Sequence, residues 1–338
     1  MVIEAWRKIK QNTIAPVYLL YGTEAFLINE TKNLILNQIL TEEEKDFNFA
    51  VYDLEETPIE AAVEDAETFP FFGERKVIFL HNPAFLTAEK SKDKVNHNLS
   101  QFEAYLQEPA PYTVMVISAS YEKLDERKKI TKELKRKAEV VEAKKLNEHE
   151  LKTWIKNQVK TKGFEIDDDA VERLLTLVGT NMFMITSELE KISLYAAEEK
   201  RINRSLVEKL VAKSLEQNIF TLIEKVVQRR LDEALRIYYD LLKQNEEPIK
   251  ILALLAGQFR LIYQVKELAR RGYGQQQIAG FLKTHPFRVK LALGQASGFT
   301  DEELVHLIGL LANADYQMKT GGMNKSLLIE MLLFRLKK

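Results

Sequence analysis

The segment VYLLYGTEAFLINETKNLI (17–35) runs from a buried-strand pattern through a glycine into a helix pattern, the order used by a phosphate-binding turn. Such a turn requires Gly-x-x-x-x-Gly-Lys-Ser/Thr. The glycines let backbone N–H groups wrap the phosphates, the lysine meets the β and γ charges, and the hydroxyl holds Mg²⁺. Here Gly22 is followed by Thr23, Glu24, Ala25, Phe26 and Leu27, so a carboxylate and two bulky apolar groups take the phosphate positions. None of the 13 glycines is followed by lysine, which excludes a displaced copy of the motif. The run KVIFLH (76–81) leads into His81 and Asn82, where a hydrolase would need an acidic pair for magnesium and water. The segment reads either as an ordinary α/β turn that uses glycine or as an NTPase-like domain stripped of its catalytic groups. Both readings make Gly22, Thr23 and Glu24 a non-binding site and predict no ATP hydrolysis.

Other chemistries find no constellation. The chain has no cysteine, which removes disulfides, thiolate metal sites and cysteine nucleophiles, and fits a reducing cytoplasm. His81, His97, His149, His285 and His306 show no His-Glu-x-x-His spacing, and no Gly-x-Ser-x-Gly elbow occurs. Asp167, Asp168 and Asp169 open a helix pattern, where carboxylates serve orphan N–H groups and the macrodipole. No catalytic residue, metal or cofactor is expected.

In TPIEAAVEDAETFPFF (57–72), Ile59, Ala62, Val63, Ala66 and Phe69 fall on one helical face, so Phe69 is expected to be buried. Pro70 ends the helix because it lacks an N–H and clashes with the preceding turn. Phe71 and Phe72 are then out of phase with the stripe, and the strand core begins only at Val77. These two rings either fold back onto the same domain or form a proline-braced pair offered to a partner's pocket, with Gly73 allowing a sharp turn behind them. A second surface feature is EKLDERKKITKELKRKAE (122–139), a helix pattern with eight Lys/Arg against five acidic residues. It is either a solvated face of i, i+4 ion pairs or a phosphate-facing stripe, with Lys128, Lys132 and Arg136 as candidate DNA-facing cations.

The elements that carry these residues divide the chain. β-rich runs at 17–22, 47–54, 76–81, 112–118 and 139–143 alternate with helix patterns, which predicts a mainly parallel sheet covered on both faces. From about 146 onward the periodicity is helical, dividing again near 211–218. The first helical group starts near Glu148, Asp167, Asn181 and Asn203. In the second, 248–270 is apolar around most of its circumference, and Pro286 opens a short helix. At 338 residues and 46% hydrophobic, the chain fits two or three domains. A formal net charge of −1 does not suit a free-standing nucleic-acid binder. The N-terminal residues lack a signal-peptide core, and the longest charge-free apolar run, 251–259, is far below the roughly 18 residues of a membrane span. A soluble intracellular protein with no membrane partner is expected.

Four collinear segments, VYLLYGTEAFL, AETFPFFGERKVIFL, VGTNMFMITSELEKISLYA and LLANADYQMKTG (310–321), resemble the delta subunits of bacterial DNA polymerase III, the Gram-positive type most closely. The resemblance spans essentially the whole chain. It implies an α/β plus all-α architecture like that of clamp-loader ATPases. The parts would be an AAA+-like parallel-sheet domain without a nucleotide site (1–143), a helical lid (144–213) and a helical collar for oligomerisation (214–338). It implies a non-catalytic accessory subunit of a DNA-directed DNA polymerase holoenzyme, a nucleotidyltransferase, which opens the sliding clamp (beta subunit) during DNA replication. The implied partners are the tau/gamma ATPase and delta-prime subunits, with primer-template DNA inside the assembly. In the family, two adjacent apolar residues before a strand contact the clamp, and here they fall on Phe71 and Phe72, supported by Pro70 and Gly73. The family often has an aliphatic residue first, whereas both are Phe here. Asp315 and Lys319 match a collar motif whose role the residue types do not give. The competing functions are an atypical nucleotide-dependent enzyme and a stand-alone DNA-binding protein.

Overall fold

In the computed structural model, which describes residues 2–88, 95–321 and 324–335, the β-rich runs form five parallel strands. These are β1 (Val17–Tyr21), β2 (Phe49–Asp53), β3 (Lys76–His81), β4 (Thr113–Ala119) and β5 (Glu139–Glu142), in the order β2-β3-β4-β1-β5. Leu19 lies opposite both Ile117 and Val140, and Ile78 opposite Met115. The central strands β3, β4 and β1 are buried almost throughout, which is why their sequences are continuous apolar runs and not alternating ones.

Helices α1 (Val2–Lys10), α2 (Ala25–Ile39), α3 (Glu42–Asn48), α4 (Ile59–Glu67), α5 (Leu99–Gln107) and α6 (Lys129–Lys137) belong to the same unit, 1–145. Ala62 and Val63 of α4, Phe102 of α5 and Leu134 of α6 share one core with Leu19, Ile78 and Met115 of the sheet. On the opposite sheet face, Lys32 of α2 lies over the Phe79 ring, 5.0 Å from its centroid, and the Trp6 indole of α1 donates to Thr31 of α2 at 2.7 Å. β1 therefore leads into α2 on one face while β4 leads into α6 on the other. A crevice at the carboxyl ends of β1 and β4 is the geometric result.

The second unit, 146–338, begins with α7 (Glu148–Thr161), α8 (Asp168–Val178), α9 (Met182–Tyr195) and α10 (Arg204–Leu210). Asn181 and Asn203 cap α9 and α10 by accepting from the Met184 and Leu206 N–H groups. Two points correct the sequence reading. The segments between these helices pair as short parallel strands β6 (Glu165–Ile166) and β7 (Arg201–Ile202), because their backbones satisfy one another where no helix continues. Asp167 does not cap α8 with its side chain; the carboxylate instead accepts from the Arg201 guanidinium at 3.0–3.1 Å. The rest is α11 (Leu215–Val227), α12 (Leu231–Lys243), α13 (Pro248–Arg270), α14 (Gln275–Phe281), α15 (Pro286–Ala296), α16 (Asp301–Thr320) and α17 (Lys325–Arg335). Ile251, Leu255, Phe259 and Ile262 of α13 lie at the centre of their shared core, as the apolar circumference of that segment predicts.

Candidate functional site

The turn between α4 and β3 exposes three phenyl rings in four residues: Phe69 at 79%, Phe71 at 82% and Phe72 at 59% of their full surface. Phe69 corrects the expectation of a buried stripe. α4 ends at Glu67, three residues before Pro70; Thr68 is already extended, and the proline keeps its predecessor Phe69 out of the helical region as well. The helix end is then fixed by outside donors. Tyr112 donates to the Glu67 carbonyl at 2.7 Å and Thr113 to the Ala66 carbonyl at 2.7 Å. Phe69 is left outside the core, packed against the Tyr112 ring at 4.8 Å between centroids.

Both sides of the turn are pinned. The ammonium of Lys76, a buried residue at the start of β3, donates to the Asp65 carbonyl (2.8 Å), the Asp65 carboxylate (2.6 Å) and the Thr68 hydroxyl (2.9 Å). All three of its protons are thereby used. Asp65 also accepts from Tyr52, whose phenol is pushed up to about 12 by burial and by that carboxylate. On the other side, Asn48 closes α3 and is 1% exposed. Its Oδ1 accepts from the N–H of Phe71 (3.0 Å) and Phe72 (3.4 Å), and its Nδ2 donates to the Phe72 carbonyl. Gly73 has φ +74°, and a Cβ there would overlap the Glu44 carboxylate of α3. The exposed Phe47 ring stacks on Phe71 at 5.6 Å between centroids and 22° between planes.

The crevice holds Gly22, Thr23 and Glu24 in a closed arrangement. Gly22 has φ +135°, and a Cβ would run into the Ala143 carbonyl at the end of β5. The Glu24 N–H donates to that same carbonyl at 2.9 Å, so the turn lies flat on β5 and does not arch into a cradle. Glu24 stands at the N-terminus of α2, and burial raises its carboxyl above the usual range against the pull of the Phe26 N–H and of Lys145. Phe26 and Leu27 are buried in the domain, and Thr23 is exposed. At the end of β3, His81 meets the Lys32 ammonium at 3.2 Å and the Ser118 hydroxyl at 3.0 Å, while Asn82 donates to the Asp53 carboxylate at 3.0–3.1 Å. The ends of β1 and β3 therefore bond to their own sheet. Among the described residues no cluster of His, Cys, Asp or Glu is arranged to hold a metal, and no helix is long and apolar enough to cross a membrane.

The basic segment is a shorter helix than its pattern predicts: 122–128 is turn and extended backbone, and α6 covers only Lys129–Lys137. The Lys128 ammonium donates to the Phe85 (3.0 Å) and Thr87 (2.8 Å) carbonyls. Arg136 pairs with Glu133 at 2.6 Å, and Lys132 is exposed. Asp315 and Lys319 form an i, i+4 ion pair at 2.8 Å along α16.

The structure brings Pro70, Phe71, Phe72 and Gly73 together with Glu44, Phe47, Asn48 and Lys76, four residues that no local pattern singles out. Glu44, Phe47 and Asn48 do follow i, i+3, i+4 spacing, but only the fold reveals what that face meets.

A family model described as "DNA polymerase III, delta subunit" matches residues 18–144, and one described as "DNA polymerase III delta subunit, C-terminal domain" matches 216–336. A middle-domain model matches 147–209. The chain is 52% identical over 338 residues to the DNA polymerase III subunit delta of Bacillus subtilis, covering 100% of this chain and 97% of that protein. It is 24% identical over 261 residues to the probable DNA polymerase III subunit delta of Aquifex aeolicus, covering 76% of this chain and 72% of that one. The solved structure of the Bacillus subtilis DNA clamp loader delta protein is similar at a TM-score of 0.83 and 51% identity, covering 100% of this chain and 99% of that one.

Proposed function

The chain belongs to the DNA polymerase III delta-subunit family, and on that premise we propose that it grips the sliding clamp through Phe71 and Phe72 and favours the clamp's open state. The observation that carries this reading is the pair of exposed rings on a turn whose backbone is bonded by Asn48, while Lys76 holds Asp65 and Thr68 just before it. Large exposed apolar groups on a braced backbone are the chemistry of an interface anchor.

A ligand shifts an equilibrium only by its differential affinity for the two states, so the rings must find a better pocket on the open clamp. Burying two phenyl rings contributes about 3–6 kcal/mol. Inverting a 1:99 equilibrium takes about 5.5 kcal/mol, so the two rings reach that size only if nearly all of their burial is made on the open clamp alone. The chain contributes no hydrolysis in this scheme. The flattened Gly22 turn and the half-buried Glu24 oppose a phosphate, which leaves ATP chemistry to the tau/gamma ATPase subunits. A lid over 144–213 and a collar over 214–338 make up the helical part of the chain, and through the collar the chain joins the loader with delta-prime. The cations assigned to primer-template DNA within the assembly are Lys128, Lys132 and Arg136; Lys132 and Arg136 are exposed on α6, as are Lys129 and Lys137. The setting is the replisome in the cytoplasm.

A co-purification of the full chain with the clamp and the ATPase subunits tests the proposal. Capture of the clamp should require Phe71 and Phe72. Tight ATP binding by the isolated chain would point to the enzyme reading, and robust DNA binding by the isolated chain at physiological salt to the stand-alone DNA-binding reading.

A further inference from the structure

We propose that Asn48 is a positioning residue for clamp capture: its buried carboxamide sets the backbone of Phe71 and Phe72 so that both rings stand ready for the clamp's pocket. The inference rests on the proposed role of those two rings and adds what holds them.

The carboxamide is spent on the turn. Oδ1 accepts from two successive N–H groups and Nδ2 donates to the carbonyl of the second residue, which also fixes the orientation of the amide. A buried amide must be hydrogen-bonded, and the partners of Asn48 lie at the two proposed contact residues and nowhere in the sheet core. Its neighbours on α3 point the same way. Glu44, one turn earlier, packs where Gly73 lacks a side chain, and Phe47 stacks on Phe71. One face of a short helix thus meets three consecutive residues of the turn. Asn48 itself is too buried to touch a partner, so its influence must pass through the two backbones it binds.

The functional consequence is pre-organisation. When only a fraction of the free protein holds the competent shape, apparent affinity falls by that fraction, and a turn already bonded into shape avoids the ordering cost on binding. Loss of Asn48 should slow association and leave dissociation nearly unchanged, because the rings and their pocket are the same once bound.

The test combines amide hydrogen exchange with clamp-binding kinetics on the full chain. In the unsubstituted protein the Phe71 and Phe72 amides should be protected. In Asn48→Ala they should exchange at least about tenfold faster, with Val77 to Leu80 unchanged, and association with the clamp should slow roughly tenfold. Asn48→Asp keeps the acceptors and loses the donor to Phe72, so it should fall between the two, and it decides the matter if the alanine variant does not fold. Unprotected Phe71 and Phe72 amides in the unsubstituted protein, or unaltered association in a folded variant whose turn exchanges fast, would overturn the role of Asn48. Unaltered binding by Phe71→Ala/Phe72→Ala would instead remove the ring contact itself, an outcome read independently of the exchange data.

Discussion

Asn48 holds Phe72 by both backbone groups, accepting from its N–H at 3.4 Å and donating to its carbonyl, while the Phe72 ring remains exposed. A side chain that fixes a residue's backbone and leaves its ring free combines a defined geometry with an open contact surface. Lys76 does the equivalent on the far side of the turn through Asp65 and Thr68.

Replacing Lys76 with methionine should therefore loosen the turn from its other end. The substitution keeps most of the stem but removes three donors, leaving the Asp65 carbonyl and carboxylate short of a partner. Hydrogen bonds to charged groups contribute about 1.5–3 kcal/mol, so a loss of roughly 2–3 kcal/mol is expected by urea unfolding, with faster amide exchange at Thr68. A loss within a few tenths of a kcal/mol would show that the ammonium does not hold the turn.

Gly22→Ala tests the flattened crevice. A Cβ would meet the Ala143 carbonyl at a φ that L residues rarely adopt, so the fold should lose about 2 kcal/mol or more by urea unfolding. A real phosphate cradle would respond through ligand affinity. Here the unsubstituted chain should show no calorimetric ATP binding, and the variant should change stability alone.

His81 should give a pH signature. Burial, and then the positive charge of Lys32, hold its pKa below the ordinary 6.5, with Asp53 pulling the other way. Burial also lowers Lys32. Above 6.5 the histidine is neutral in both states and its effect is flat. As pH falls through 6.5 the unfolded chain takes the proton first, so stability falls until the folded-state pKa is passed. The drop in thermal midpoint from about pH 7.5 to 5.5 should be smaller in His81→Asn than in the unsubstituted protein. An equal drop in both would place the responsible group elsewhere.

The sheet was legible because β1, β3 and β4 are buried on both faces and so appear as unbroken apolar runs. Absence of the phosphate motif was equally legible, since its glycines and lysine act at fixed spacing. Periodicity failed at Phe69, where the proline's effect on its predecessor and the Tyr112 hydroxyl on the carbonyl of Glu67, 45 residues apart in sequence, outweigh a helical stripe. It overextended the 122–139 helix because charge and propensity do not register where a chain is pulled into turns, as Lys128 is by two carbonyls. Asn48 could not have been found at all. An asparagine at the end of a helix looks like any other until the fold brings a turn 23 residues away onto its amide.

The most direct test is a calorimetric titration of the purified chain with the sliding clamp, comparing the unsubstituted protein with Phe71→Ala/Phe72→Ala. Both should show the same circular dichroism and the same unfolding midpoint, since neither ring is buried. Removing two anchor rings worth about 1.5–3 kcal/mol each should weaken binding by more than about a hundredfold. Equal affinity in the two proteins would contradict the account.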